Sequence, residues 1–282
     1  MERILVPTDF SFHANAALAH AILFAEAFKA EAHLLNVQVP YGPTSPLVDE
    51  FPGEAEARET LDSLTVGSRP VVRAMRRGFA AGPAILEYAG DEQIDLIVMG
   101  SHGYRGIPRL LLGSVAEDVV RGSACPVLVV HETRLEAPAY GKLLVPVDFS
   151  GETEAQMQVA VDLAERFGAA LDIVHVIDPP TVPELYVPVG PIATDMKTIA
   201  VNAAMELESV AGPLRDSFEV TTEVLVGRAG KTIAKRARDA DLVVMPTHGH
   251  SGFERILIGS VTEGVLRRVE GAVLALKPVA VL

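Results

Sequence analysis

The chain repeats itself, and that duplication limits its fold more than any other feature. Arg3-Ile4-Leu5-Val6-Pro7-Thr8-Asp9-Phe10-Ser11 returns 139 positions later as Lys142-Leu143-Leu144-Val145-Pro146-Val147-Asp148-Phe149-Ser150. Asp95-Leu96-Ile97-Val98-Met99 returns 146 positions later as Asp241-Leu242-Val243-Val244-Met245. Between these landmarks, each copy alternates short Val/Ile/Leu runs with longer stretches of helical apolar spacing. A period of half the chain means that one whole fold unit has been duplicated. A length of 282 residues suits two domains of ordinary size.

Strands are expected at 3–7, 32–37, 71–77, 95–100 and 126–131, and again at 142–146, 170–176, 219–225, 241–245 and 272–277. Helices are expected over 14–29, 54–65, 83–92 and 114–122, with counterparts over 154–167, 193–212, 229–239 and 260–269. Ser11 and Ser150 stand where N-caps would open the first helix of each copy. Continuous apolar strands alternating with helices predict a parallel sheet covered on both faces. The change in offset places a few extra residues in the second copy, expected within 178–190. A polar, proline-containing stretch marks the boundary, giving domains over 1–132 and 141–282 and a linker over 133–140. The last strand of each copy, Val127-Leu128-Val129-Val130 and Val273-Leu274-Ala275-Leu276, has an apolar edge without protecting charge. Pairing those two edges would bury both and fasten the halves together.

Composition removes several classes of function. With 49% hydrophobic and 22% charged residues the chain can build cores. Its formal charge of -13 argues against a general nucleic-acid or anionic-membrane binder. The sequence begins directly with a strand-like segment, without a signal-peptide pattern, and no apolar run approaches the ~18 residues of a membrane span. The single cysteine, Cys125, permits no intrachain disulfide and suits the cytoplasm. It reads as a small strand-edge residue.

The chemistry concentrates after the fourth strand of each copy. Met99-Gly100-Ser101-His102-Gly103 is followed, after nine intervening residues, by Gly113-Ser114-Val115. Met245-Pro246-Thr247-His248-Gly249 is followed, at the same spacing, by Gly259-Ser260-Val261. Small residues there let backbone N–H groups crowd around an anion at a helix start, where the helix dipole favours negative charge. In an open parallel sheet such a site lies beyond the carboxyl ends of the strands. Asp9, just past the first strand, could anchor a base or ribose, or could instead serve the start of the following helix; the same alternatives hold for Asp148.

These motifs, with the N-terminal Val-Pro-Thr-Asp-Phe-Ser, resemble the universal stress protein family, twice in tandem. The resemblance implies two open five-stranded parallel sheets in the order 3-2-1-4-5, of the adenine-nucleotide alpha-hydrolase type. It also implies ATP as ligand; Mg²⁺ could arrive with it, carried by the phosphates. Carried over position by position, Pro7, Thr8 and Asp9 would border adenine and ribose, with Val37 and Met99 completing that pocket. Gly100, Gly103, Gly113, Ser114 and Val115 would hold the phosphates. The second set is Pro146, Val147, Asp148, Val176, Met245, Gly249, Gly259, Ser260 and Val261. Pro246 departs from the pattern, because proline supplies no N–H and fixes φ.

Other features read as structural. His102 and His248 have no companion ligands at a metal-binding spacing, and the first copy has Tyr104 in place of His250. Gly227-Arg228-Ala229-Gly230-Lys231-Thr232 has two residues where a phosphate loop needs four. Arg109 and Arg255, inside the nine-residue spacers, serve equally as surface arginines or phosphate contacts. The expected function is an ATP-binding regulatory, stress-response protein in the cytoplasm, with at most slow hydrolysis and no catalytic residue assigned. Its partners would be adenine nucleotide and a regulatory protein, with room for a homodimer. The alternative is a protein-interaction scaffold that binds no nucleotide.

Overall fold

The computed structural model describes residues 1–39, 53–103, 112–131, 138–179, 192–247 and 258–277. The first half supplies β1 (Arg3–Pro7), β2 (Glu31–Gln38), β3 (Val71–Arg77), β4 (Leu96–Gly100) and β5 (Val127–Val130). The second supplies β6 (Lys142–Pro146), β7 (Ala170–Ile177), β8 (Val220–Val226), β9 (Leu242–Pro246) and β10 (Ala272–Leu276). All ten form one sheet in the order β3-β2-β1-β4-β5-β10-β9-β6-β7-β8. Each half is therefore parallel, in its own order 3-2-1-4-5, as the resemblance implied. The two halves meet at β5 and β10, which pair antiparallel from Ala272 opposite Val130 to Ala275 opposite Val127. The apolar edges predicted to pair do so.

Among the described residues eight α-helices cover the sheet: α1 (Phe12–Phe28), α2 (Glu54–Ser63), α3 (Ala81–Asp91), α4 (Ser114–Gly122), α5 (Thr153–Phe167), α6 (Ile192–Ala211), α7 (Ala229–Arg236) and α8 (Ser260–Leu266). Alternation along the strands sends side chains to two apolar layers. Ile4 and Val6 join the layer under α1 and α5, whereas Leu5 joins the layer under α3, α4, α7 and α8. Both layers hold residues from both halves, so the core is continuous across the seam. Buried Ala16, Ala17, Ala21 and Ala25 line the face of α1 that meets the sheet. Small side chains there allow close approach at little entropic cost. Phe24 of that helix lies edge-on to Tyr140 and Phe167, whose ring centroids are 5.7 and 5.3 Å away, tying α1 to the second half.

Two local expectations need correction. Ser11 caps α1, its Oγ accepting from the Ala14 N–H at 3.2 Å. Ser150 does not cap α5: that helix opens at Thr153 with Glu152 in the N-cap position. The extra length of the second copy lies in α6, which has 20 residues where α2 has 10. Residues 180–191, within the span expected to hold it, lie outside the described residues, as do 132–137 of the expected linker.

Candidate functional site

The crevice follows from strand order. β1 has β2 on one side and β4 on the other, yet it pairs with β4 only at Ile4–Leu96 and Leu5–Ile97. β4 meanwhile stays with β5 as far as Gly100–Val130. Beyond Leu5 the two central strands part, and the winding reverses at this point, which is where open α/β sheets bind ligands. β6 and β9 repeat the arrangement, pairing only at Leu143–Leu242 and Leu144–Val243.

In the first half the crevice is walled by a tightly bonded turn. Thr8 is buried; its N–H donates to the Leu35 carbonyl at 2.8 Å, and its carbonyl accepts from Asn36 Nδ2 at 2.8 Å. Asp9 Oδ1 accepts from the Ser11 N–H at 3.0 Å, across Phe10, which sits in the left-handed region at φ 62°. Asp9 is thus a turn-former leading into α1. Its other carboxylate oxygen lies beside the loop after β4, 2.6 Å from where a Cβ on Gly103 would stand. Pro7 closes β1 opposite Leu35, and half-buried Val37 lies two residues further along β2. Met99 is buried at the end of β4.

Two glycines have packing reasons that their sequence pattern did not disclose. A Cβ on Gly100 would fall 2.8 Å from the His13 carbonyl group, so the first turn of α1 can rest on β4 only because that side chain is missing. A Cβ on Gly113 would fall 2.8 Å from the Ser101 carbonyl oxygen, which accepts the Gly113 N–H at 2.8 Å. That bond closes the base of the loop between β4 and α4. Gly113 is also the N-cap of α4, and no side chain caps this helix. Exposed Ser114 and half-buried Val115 open the helix beside it. Residues 104–111, with Tyr104 and Arg109, lie outside the described residues.

The second half repeats this plan with substitutions. Asp148 Oδ1 accepts from the Ser150 N–H at 3.0 Å, and Phe149 has φ 58°. Val147 is buried, and its carbonyl accepts from His175 Nδ1 at 2.8 Å. His175 therefore does for Val147 what Asn36 does for Thr8. Neither residue stands out in the sequence; the signal was a polar residue at the same place in both second strands. Phe149 also stacks on His175, centroids 4.4 Å apart. Pro146 closes β6 opposite Val174, Val176 lies two residues further along β7, and Met245 is buried. The Gly259 N–H donates to the Thr247 carbonyl at 2.8 Å, reproducing the loop closure, and Ser260 and Val261 are exposed at the start of α8. Gly249, His248, His250 and Arg255 lie outside the described residues.

Histidines crowd the first crevice. The rings of His13 and His102 are 5.7 Å apart, with His13 Nδ1 and His102 Nε2 both enclosed and without a hydrogen-bond partner. Burial, helped by His102 and opposed by Asp9, holds His13 below the usual imidazole range. His131, just past β5, is pushed down to about 4, chiefly by burial. The described residues include no group of three His, Cys, Asp or Glu side chains placed to hold a metal. The Gly227–Thr232 segment joins β8 to α7, and Gly230 lies inside α7 against α8. Burial raises the Cys125 thiol above its ordinary value, which disfavours the reactive thiolate.

A doubled open α/β sheet, each half with a switch-point crevice, is a tandem doubly wound architecture. The chain belongs to the universal stress protein family, whose family model matches residues 1–131 and again 139–277. It is 28% identical to a universal stress protein of Mycobacterium tuberculosis over 83% of this chain and 82% of that one. A universal stress protein of Mycolicibacterium smegmatis is 27% identical, covering 98% and 97% of the two chains. Among solved structures, a functionally unknown protein from Pseudomonas aeruginosa has the same fold, with a TM-score of 0.74 at 22% identity over 99% of this chain and 93% of that one. A universal stress protein from Archaeoglobus fulgidus gives 0.68 at 21%, covering 98% and 96%. Among the described residues no helix is long and apolar enough to cross a membrane.

Proposed function

We propose that the chain is an ATP-binding regulatory protein of the stress response, with its principal site in the first crevice. The observation that carries this reading is the start of α4. Its N-cap glycine offers no side-chain acceptor, so the first-turn amides stand ready for an anion at the switch point. Pro7, Thr8, Asp9, Val37 and Met99 would surround the base and ribose, and Gly100, Gly103, Gly113, Ser114 and Val115 the phosphates. Mg²⁺ would arrive with the nucleotide, held by phosphate and water. The reading assigns no catalytic residue. The second crevice offers Pro146, Val147, Asp148, Val176, Met245, Gly249, Gly259, Ser260 and Val261 to the same ligand. It is the weaker host, since Pro246 removes a donor and α8 has seven residues where α4 has nine.

The usual test of such a cradle, a bulky residue at Gly113, would be confounded, because it would force apart the bond to Ser101. Ser114→Glu is cleaner. A carboxylate in the first turn of a helix stabilises it by roughly 0.3–1 kcal/mol while repelling a phosphate placed there. Calorimetry should show ATP affinity at the first site falling by at least about tenfold, a loss of roughly 1.4 kcal/mol. The melting temperature should not fall. ATP binding unaltered in the variant, or absent from the wild type, would favour the scaffold reading instead.

A further inference from the structure

We propose that His13 and His102 face the polyphosphate of a nucleotide in the first crevice and that one proton is taken up as it binds. This rests on the reading of that crevice as an ATP site. The pair is held in place from both sides. His13 is pinned by the contact of α1 with Gly100, and His102 Nδ1 lies 2.9 Å from Ser101 Oγ in the loop that α4 closes. The nitrogens left over, His13 Nδ1 and His102 Nε2, are enclosed without partners. An enclosed, unpaired polar atom costs about 1–3 kcal/mol, and a native fold keeps one chiefly where something else completes it.

Charge decides what that something is. Asp9, on the turn before α1, favours a protonated His13, whereas His102 and, from beyond β5, His131 oppose protonation. Those are the groups whose charge acts on His13. Without a ligand, burial prevails at His13 and favours its neutral form. Several negative charges on a polyphosphate beside the pair reverse that balance and supply the missing acceptor. The second half cannot respond in this way, because the residue matching His13 is Glu152.

The test is titration calorimetry of the full chain with ATP between pH 6.5 and 8, in two buffers of different ionisation enthalpy. Up to about one proton should be taken up per ATP, and binding should be about tenfold tighter at the lower pH. Adenosine, which lacks phosphate, should take up none. His13→Gln should bind ATP about tenfold more weakly than the wild type at pH 6.5, with the proton uptake and most of the pH dependence lost. Should that variant fold poorly, the His13 imidazole resonances of the wild type read the same event, titrating at higher pH once ATP is added. ATP binding with no proton uptake and unmoved resonances would overturn the inference while leaving the ATP site standing. No ATP binding at any pH would remove the site itself, and the inference with it.

Discussion

His131 shows how one side chain can tie stability to pH. It follows β5, its Nδ1 is 3.2 Å from the Gly271 carbonyl across the seam, and its other ring nitrogen is enclosed. With a folded value of about 4 against 6.5 in the open chain, the unfolded state binds the proton first as the solution is acidified. The stabilisation is complete above pH 6.5 and is lost as pH falls toward 4. By pH 4.5 this amounts to about 2–3 kcal/mol. His131→Gln keeps a donor but does not titrate. Urea unfolding at pH 7 and 4.5 should therefore show a smaller acid loss in the variant, and equal losses would contradict the account. Much at this scale was legible, and some was not. The small residues at 100 and 113 were read as room for an anion, but their contacts with His13 and Ser101 depend on which helix lies overhead. Sequence pattern carries no such information. The sequence allows Asp9 two roles; its bond to the Ser11 N–H shows the local one, and the ligand-facing one belongs to the proposal.

At the scale of elements, the periodicity of apolar residues located every strand and helix to within a few residues, because burial dictates both. The cap of α5 is the exception: the sequence points to Ser150, and Glu152 holds the position. α1 starts at Phe12, whereas α5 starts two positions later in the matched numbering, at Thr153. The difference coincides with Pro246. Gly100 lets the first turn of α1 rest on the end of β4, and Pro246 stands at the matching place in β9. The insertion was misplaced for a related reason: a helix can lengthen by whole turns without disturbing the strands it connects, and α6 does so. Replacing Pro246 by glycine should restore a donor and free the crevice, at a cost to stability of about 1 kcal/mol from added backbone freedom. Calorimetric titration should show a gain in ATP affinity at the second site. No gain would mean that the proline is tolerated and that weakness there has another origin.

The whole molecule is held at its middle. Leu128 and Leu274 face each other across the antiparallel seam, both fully buried in the layer under α1 and α5. Around them, Arg267 of the second half approaches Glu117 of the first at 3.8 Å, and the Lys277 amine donates to the Val120 carbonyl at the end of α4. Because the core runs through the seam, the halves should melt together. Leu128→Ala should lower stability by about 2–5 kcal/mol in a single transition, in scanning calorimetry, rather than release one half before the other. Two separated transitions would refute a shared core. The antiparallel join has a geometric result as well. Each crevice opens at the carboxyl ends of its own strands, and those strands run in opposite directions on either side of the seam. The two mouths therefore look out from opposite rims of the molecule, like doors at either end of a corridor. A flat partner laid against one rim leaves the other uncovered, so each doorway can be filled or blocked without its neighbour being touched.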